Sequence, residues 1–241
     1  MTLKERLHAG ERIQGCLLRL PSETLLEMTA VAGFDYAVVD CEHGPADLVS
    51  LQQHVRAADA YGMPVLVRVG ENEPALILRV LDLGAEGVIV PHVDTAEQAR
   101  AVVAAAHYPP TGERGFATYS RAGRFGRGIA EHLADAERTT LVIPMLETAR
   151  ACDNAADILA VSGVDSVLVG PADLSVAMNR SGPADPEVVE RIGGVVRAAA
   201  SGGHPMTTIV GSADKAAEAP AGAVLYNLTH VLMETLRGLA K

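Results

Sequence analysis

The chain has 241 residues, 49% of them hydrophobic but only 3% aromatic, with no Trp, and its formal net charge is −10. That length fits a single domain spanning 1–241, and a core so poor in aromatics must be built from Val, Leu, Ile and Ala, which suits parallel strands buried beneath helices. The negative charge and scattered Lys and Arg argue against nucleic acid or an anionic membrane as partner, no run approaches 18 apolar residues, and the charged opening MTLKERLHAGERIQG lacks the apolar segment of a signal peptide.

Taken in order, the segments repeat one unit: a helical stretch, a glycine, then a short apolar run. RIQGCLL supplies a first strand, and Ser22 caps a helix that ends at Gly33 before FDYAVVD. Gly62 precedes MPVLVR, and Gly84 precedes AEGVIV. Asp94, with Glu97 three residues on, reads as a capping-box start to EQARAVVAAAH. From 107 to 140 the rhythm breaks, because Pro and Gly in HYPPTGERGFATYSRAGRFGRG prevent a continuous helix, and a long irregular segment in a compact domain is a functional loop or an interface. LVIPML follows at 141–146, then Gly163 before VDSVLV, Gly203 before HPMTTIV and Gly222 before AVLYNL. Eight strand candidates match the number that closes a (βα)8 TIM barrel, with a doubly wound open sheet as the alternative, although no GxGxxG follows the first strand. Cys16, Cys41 and Cys152 lack CxxC spacing, so a reducing cytosol is expected and the sequons at Asn179 and Asn227 carry no meaning.

The chemistry-bearing residues cluster at strand ends. Asp40, Glu42 and His43 follow the second strand, Arg68 ends the third, and Asp82 lies on the helix after it. Glu147 and Asp173 end the fifth and sixth strands, 26 residues apart, which is one βα repeat. In a parallel barrel all of these but Asp82 share the rim where catalysis is placed. Hard oxygen donors without a paired His or Cys favour an octahedral Mg²⁺ or Mn²⁺ type of ion. Each residue also has a plain structural reading: Asp173 as a helix N-cap, Glu147 as a first-turn acid, His43 as a hydrogen-bonded structural histidine, Arg68 as an ion-pair partner. None of Lys4, Lys215 and Lys241 falls at a strand end, so a Schiff-base nucleophile is not evident.

The segments FDYAVVDCEHGPADL, PVLVRV, ILRVLDLGAEGVIVPHVDTAEQARAVVAAAHYPPTGERG and LVIPMLETARACDNAADILAVSGVDSVLVGPADLS, within residues 10–180, resemble the HpcH/HpaI family of class II pyruvate aldolases. The resemblance implies a metal-dependent carbon–carbon lyase that cleaves a 2-keto-4-hydroxy acid to pyruvate, or a related 2-keto acid, and an aldehyde. It implies that Glu147 and Asp173 bind a divalent cation (Mg²⁺, Mn²⁺ or Co²⁺), that His43 acts as acid/base with Asp82 orienting it, and that Arg68 contacts the keto acid. By the same resemblance, the backbone around Gly170, Pro171, Ala172 and Asp173 receives the substrate carboxylate. The family also implies a homo-oligomer, a hexamer or trimer of dimers, with an exchanged C-terminal helix, which would put ETLRGLAK at an interface. Three positions depart from the family pattern: Met145 stands in place of Gln beside the substrate, His92 in place of Met, and AVLYNLTHVLM replaces the usual last strand. Two further readings stay open, oxaloacetate decarboxylation through the same chemistry and a barrel that binds ligand without turnover. Arg121, Arg124 and Arg127 are candidates to receive an anionic acceptor, against a solvated basic loop or subunit contact.

Overall fold

The computed structural model describes residues 1–126 and 128–240. The elements run α1 (Leu3–His8), β1 (Ile13–Leu18), α2 (Glu23–Val31), β2 (Tyr36–Asp40), α3 (Leu48–Ala60), β3 (Val65–Arg68), α4 (Pro74–Asp82), β4 (Gly87–Val90) and α5 (Ala96–Ala106). A 3₁₀ turn (Arg124–Gly126) then leads to α6 (Ile129–Thr139), β5 (Leu141–Leu146), α7 (Ala149–Asp153), α8 (Ala155–Leu159), β6 (Val167–Val169), α9 (Pro171–Ala177), α10 (Pro186–Gly202), β7 (Met206–Val210), α11 (Ala213–Glu218), β8 (Gly222–Asn227) and α12 (Leu228–Leu239). The strands form a closed barrel in sequence order, all parallel. Closure is made by β1 on β8, with Ile13 opposite Ala223 and Leu17 opposite Asn227, which rules out the open doubly wound sheet. Every expected strand is present.

Side-chain alternation divides the core in two. Tyr36 and Val38 of β2, Leu66 of β3, and Leu141, Ile143 and Met145 of β5 fill the barrel interior, while Ala37, Val39, Val65, Val67, Val142 and Leu146 face the helices. This is the period of two that a strand imposes, with both faces apolar because both are buried. Tyr36 crosses the interior beneath β1, where a Cβ on Gly15 would lie 2.4 Å from its ring, and its hydroxyl donates to the carbonyl of Val224 at 3.2 Å. The bottom of the barrel is closed by α1: Leu3 and Leu7 join the interior cluster, Lys4 Nζ lies 3.1 Å and His8 Nε2 2.9 Å from the buried Asp165 carboxylate. The opposite rim is left for the loops after the strands.

Local signals mostly act as expected. Ser22 caps α2 by accepting from Leu25 N, and Gly33, Gly62, Gly84 and Gly203 take positive φ at helix ends. The start of α5 is one residue later than the sequence suggests, with Thr95 and Gln98 forming the capping box, because Asp94 instead accepts from Thr148 Oγ1 at 2.6 Å. The irregular stretch ends earlier than 140, since α6 covers 129–139 once the glycines are past. Along α12 no residue is buried, and Met233, Leu236 and Leu239 are exposed.

Continuing the alternation one step beyond the apolar interior turns Asp40 and Arg68 inward, and the β2–β3 register sets them side by side. Arg68 Nε donates to Asp40 Oδ1 at 2.9 Å and Nη2 to Oδ2 at 2.5 Å, a bidentate pair with both residues buried. Arg19, at the end of β1, adds a third donor through Nε at 2.9 Å, and the backbone N–H groups of Glu42 and His43 each donate to Oδ1 at 3.2 Å. Burial opposes ionisation of Asp40, but the hydrogen bonds and charge of Arg68, with the His43 N–H and Arg19, outweigh it and hold the carboxyl below the ordinary 3.8.

Asp40→Asn would remove the bidentate partner of the buried Arg68 guanidinium and leave it only Glu42, and breaking a buried ion pair costs about 3–5 kcal/mol. Because the folded pKa of Asp40 is lowered, its contribution is complete above the ordinary value and is lost as pH falls through the folded one. Urea unfolding from pH 7 downward is therefore expected to show a large loss for Asp40→Asn at neutral pH that narrows on the acid side. An equal gap at every pH would show that Asp40 is not held ionised by this network.

Candidate active site

Five strand ends meet at the open rim. β2 delivers Asp40 and then Glu42 and His43; β3 delivers Arg68; β4 runs through Pro91 into His92; β5 delivers Glu147; and β6 runs through Gly170 into Asp173, on the first turn of α9. Arg68 also reaches Glu42, with Nη1 3.0 Å from Oε2, although that oxygen has no aligned hydrogen bond. Burial and the like charge of Glu147 push Glu42 above the usual carboxylate range, partly countered by Arg68. His43 stands half exposed beside it, Nε2 4.0 Å from Glu42 Oε1. Its backbone N–H is tied to Asp40, so the ring is presented to the rim on an anchored main chain.

Glu147 is almost fully buried and its two oxygens are unequal. Oε2 accepts from the backbone N–H of His92 at 3.0 Å, with His92 Nδ1 3.2 Å away. Oε1 is buried and has no partner. It faces Gly170, where a Cβ would lie 3.1 Å from Oε1 and 3.3 Å from Asp173 Oδ2. Gly170 has an ordinary negative φ of −89°, so glycine is needed there for space and not for conformation. The missing side chain opens a gap where two carboxylates converge, one of them carrying a bare buried oxygen, an arrangement that is costly unless a cation compensates it.

The donor set fits a hard dication. Among the described residues no three His, Cys, Asp or Glu side chains are gathered as a complete cage. Two carboxylates with open positions is the usual protein share for Mg²⁺-type ions, which keep waters or bind substrate oxygens in the remainder. Around them the rim holds four carboxylates, those of Asp40, Glu42, Glu147 and Asp173, against the guanidiniums of Arg19 and Arg68. The excess is negative and points at solvent.

His43, Arg68, Glu147, Gly170, Pro171, Ala172 and Asp173 all lie on this rim. Asp173 is not a helix N-cap: Gly170 holds that position, without a side-chain bond, and Asp173 is in the first turn. Asp82 does not join them. It ends α4, whose course returns it to the far end of the barrel, and its carboxylate pairs with Arg114 Nη2 at 2.6 Å, so within one chain it cannot orient His43. Met145 sits 2% exposed in the interior apolar cluster, just beneath Glu147, and forms part of the floor. Arg121 pairs with Asp59 and donates to the Leu83 carbonyl at 3.3 Å, away from the rim, while Arg127 lies outside the described residues. Arg121, Arg124 and Arg114 line a cavity of about 640 Å³ among residues that precede β3, β4 and β5. In that cavity Arg114 is already matched to Asp82 and stacked over Tyr108, and Arg121 to Asp59, whereas the rim holds the uncompensated carboxylate. Arg19 is the member of the site that the sequence did not single out; its signal is position, one residue past β1 and level with Asp40 across the β1–β2 register.

A pyruvate aldolase of Rhizobium etli is 39% identical over 190 residues, covering 78% of this chain and 74% of its own. A 2-keto-3-deoxy-L-rhamnonate aldolase of Escherichia coli is 40% identical over 190 residues, covering 78% and 71%. The crystal structure of an HpcH/HpaI aldolase/citrate lyase family protein from Burkholderia cenocepacia superposes with a TM-score of 0.92 at 30% identity, across 99% of this chain and 97% of that one. The family model for HpcH/HpaI aldolase/citrate lyase matches residues 14–225, from the first strand into the last, and the chain belongs to that family.

Proposed function

We propose that the protein is a divalent-metal-dependent aldolase that reversibly cleaves a 2-keto-4-hydroxy acid to pyruvate, or a related 2-keto acid, and an aldehyde. The observation that carries this reading is the bare, buried Oε1 of Glu147 facing Asp173 across Gly170. Similarity to proteins named as aldolases of keto acids supports the substrate class. Glu147 and Asp173 would hold the cation, Mg²⁺, Mn²⁺ or Co²⁺, which when bound supplies Lewis acidity to the oxygens of a 2-keto acid.

The chain's own residues supply the rest. Arg68, fixed by Asp40, keeps a positive charge beside the position where a keto oxygen gains charge during cleavage. The N–H groups of Ala172 and Asp173, in the first turn of α9, have no intrahelical acceptor and receive the substrate carboxylate, while Pro171 carries no N–H and Gly170 leaves room. His43 takes the proton of the 4-hydroxyl as the adjacent carbon–carbon bond breaks and the aldehyde leaves, and a proton returns to the freed methylene to give the methyl of pyruvate. Among the described residues no lysine is placed to act as a Schiff-base nucleophile at the rim: Lys4 lies at the barrel bottom with Asp165, and Lys215 pairs with Glu218 on α11, while Lys241 is outside the described residues. We further propose a cytosolic homo-oligomer, a hexamer or trimer of dimers, in which the uncovered apolar residues of α12 are buried by exchange with a partner subunit. Among the described residues no helix is long and apolar enough to cross a membrane.

Proton exchange at the methyl group of pyruvate in D₂O, followed by NMR with and without Mn²⁺, tests the half-reaction without knowledge of the aldehyde. Exchange that needs the metal is expected; pyruvate and metal bound without exchange would overturn turnover. Glu147→Gln and Asp173→Asn are each expected to remain folded and to lose Mn²⁺ binding in calorimetric titration, because an amide lacks the charge that holds a hard dication. Wild-type affinity in either folded variant removes that residue from the site. His43→Ala is expected to lose roughly 10²–10⁴ in cleavage rate, the size of a general acid/base contribution, with metal affinity unchanged. A parallel fall in metal affinity would make it a support for the site instead. Met145→Gln places an amide in the apolar floor and is expected to cost roughly 1–3 kcal/mol in urea unfolding without tightening pyruvate. Tighter pyruvate binding at saturating Mn²⁺ would show that residue 145 faces the substrate.

A further inference from the structure

Among the described rim residues His92 alone is non-glycine with a left-handed backbone, φ 58°, a conformation uncommon outside Gly that Asn, Asp and His adopt more readily than other residues. The turn brings both nitrogen groups of one residue to the same oxygen: the backbone N–H donates to Glu147 Oε2 at 3.0 Å, and Nδ1 lies 3.2 Å from that oxygen. The ring thus meets that oxygen as a close polar contact, while the aligned hydrogen bond is the one from the backbone N–H. Nε2 is directed toward the second acidic side chain of the rim, 3.9 Å from Glu42 Oε1.

The loop that carries His92 is itself fastened to the loop after Glu147. Val93 N donates to the Met145 carbonyl at 3.3 Å, Thr148 Oγ1 to Asp94 Oδ1 at 2.6 Å, and Asn154 Nδ2 to the Asp94 carbonyl at 2.8 Å. With Oε2 engaged in this way, Oε1 is the oxygen left bare toward Asp173.

We propose that His92 is a positioning residue for Glu147: its backbone N–H bonds Oε2 and its imidazole packs Nδ1 against the same oxygen, so that Oε1 is held opposite Asp173 as the cation-facing oxygen. The proposal rests on Glu147 and Asp173 holding the metal. Outer partners that orient a ligating carboxylate change metal affinity although they do not touch the metal.

Mn²⁺ titration followed by EPR and calorimetry, on the folded protein, separates the two readings. His92→Met removes the imidazole contact, His92→Gly removes it while relieving the left-handed backbone, and His92→Asn keeps a short polar side chain on a residue that tolerates that backbone. Met and Gly are expected to weaken Mn²⁺ roughly 10- to 100-fold, with Asn restoring affinity to within about threefold of wild type. Wild-type affinity in both Met and Gly overturns the proposal, as does Gly behaving like wild type while Met does not, since backbone strain would then be the cause. A directly bound nitrogen in the pulsed EPR of wild-type Mn²⁺ protein also overturns it, by making His92 a ligand. Glu147→Gln and Asp173→Asn run alongside: if they bind Mn²⁺ normally the metal reading fails, and if they lose it while the His92 variants do not, only the positioning role fails.

Discussion

The structure depends on where the apolar interior of the barrel stops. Each strand turns alternate residues inward, and most of those residues are apolar until the C-terminal rim, where the next inward positions are Asp40 on β2, Arg68 on β3 and Glu147 beyond β5. A closed parallel barrel gives these groups little choice of neighbour, because the ladder fixes which ends lie level. Asp40 meets Arg68 by register and Arg19 by the same rule across β1. The charged layer thus rests on a dry floor that includes Met145 and Leu168, where the attraction between opposite charges is stronger than it is in water.

That layer is unevenly balanced. Asp40 is saturated with donors from Arg68, Arg19 and two backbone N–H groups, so it behaves as a fixed structural anion whose task is to orient Arg68. Glu42 and Glu147 share what positive charge remains, and Glu42 is pushed toward its neutral form by burial and by Glu147. A dication at Glu147 and Asp173 would relieve that repulsion, so metal binding and the state of Glu42 are coupled through a short electrostatic path. The same balance accounts for the open site: groups fully compensated inside one chain would have nothing to offer a ligand.

The fold was legible in the sequence because its signals are local. Glycine after a helix and a short branched-apolar run are properties of neighbouring residues, and six such units with two further apolar runs leave few topologies. The rim residues Arg68, Glu147 and Asp173 were legible for the same reason, since a residue just past a strand reaches the rim whatever the rest does. The failures are all non-local. Asp82, which the resemblance and not its spacing connected with His43, is carried by a helix of nine residues to the other end of the barrel, to Arg114 of the same chain. Arg121 is drawn to Asp59 across a separation that no spacing rule anticipates. The start of α5 slipped by one residue because Asp94 has a better use, accepting from Thr148 on the next loop.

The same non-local ties make the rim rigid without a metal. The β2 end is held by Asp40, the β4 loop is pinned to the β5 loop through Asp94, Thr148 and Asn154, and Glu147 is held by the His92 backbone. Each tie joins adjacent strand ends, so a displacement of one side chain must move a loop that its neighbours oppose. Only Asp173 stands apart, exposed on the first turn of a short helix without a side-chain cap. In the proposed metal site, Glu147 would therefore be the carboxylate held in place by the chain and Asp173 the exposed one, so the position of a bound hard dication would be set chiefly by Glu147.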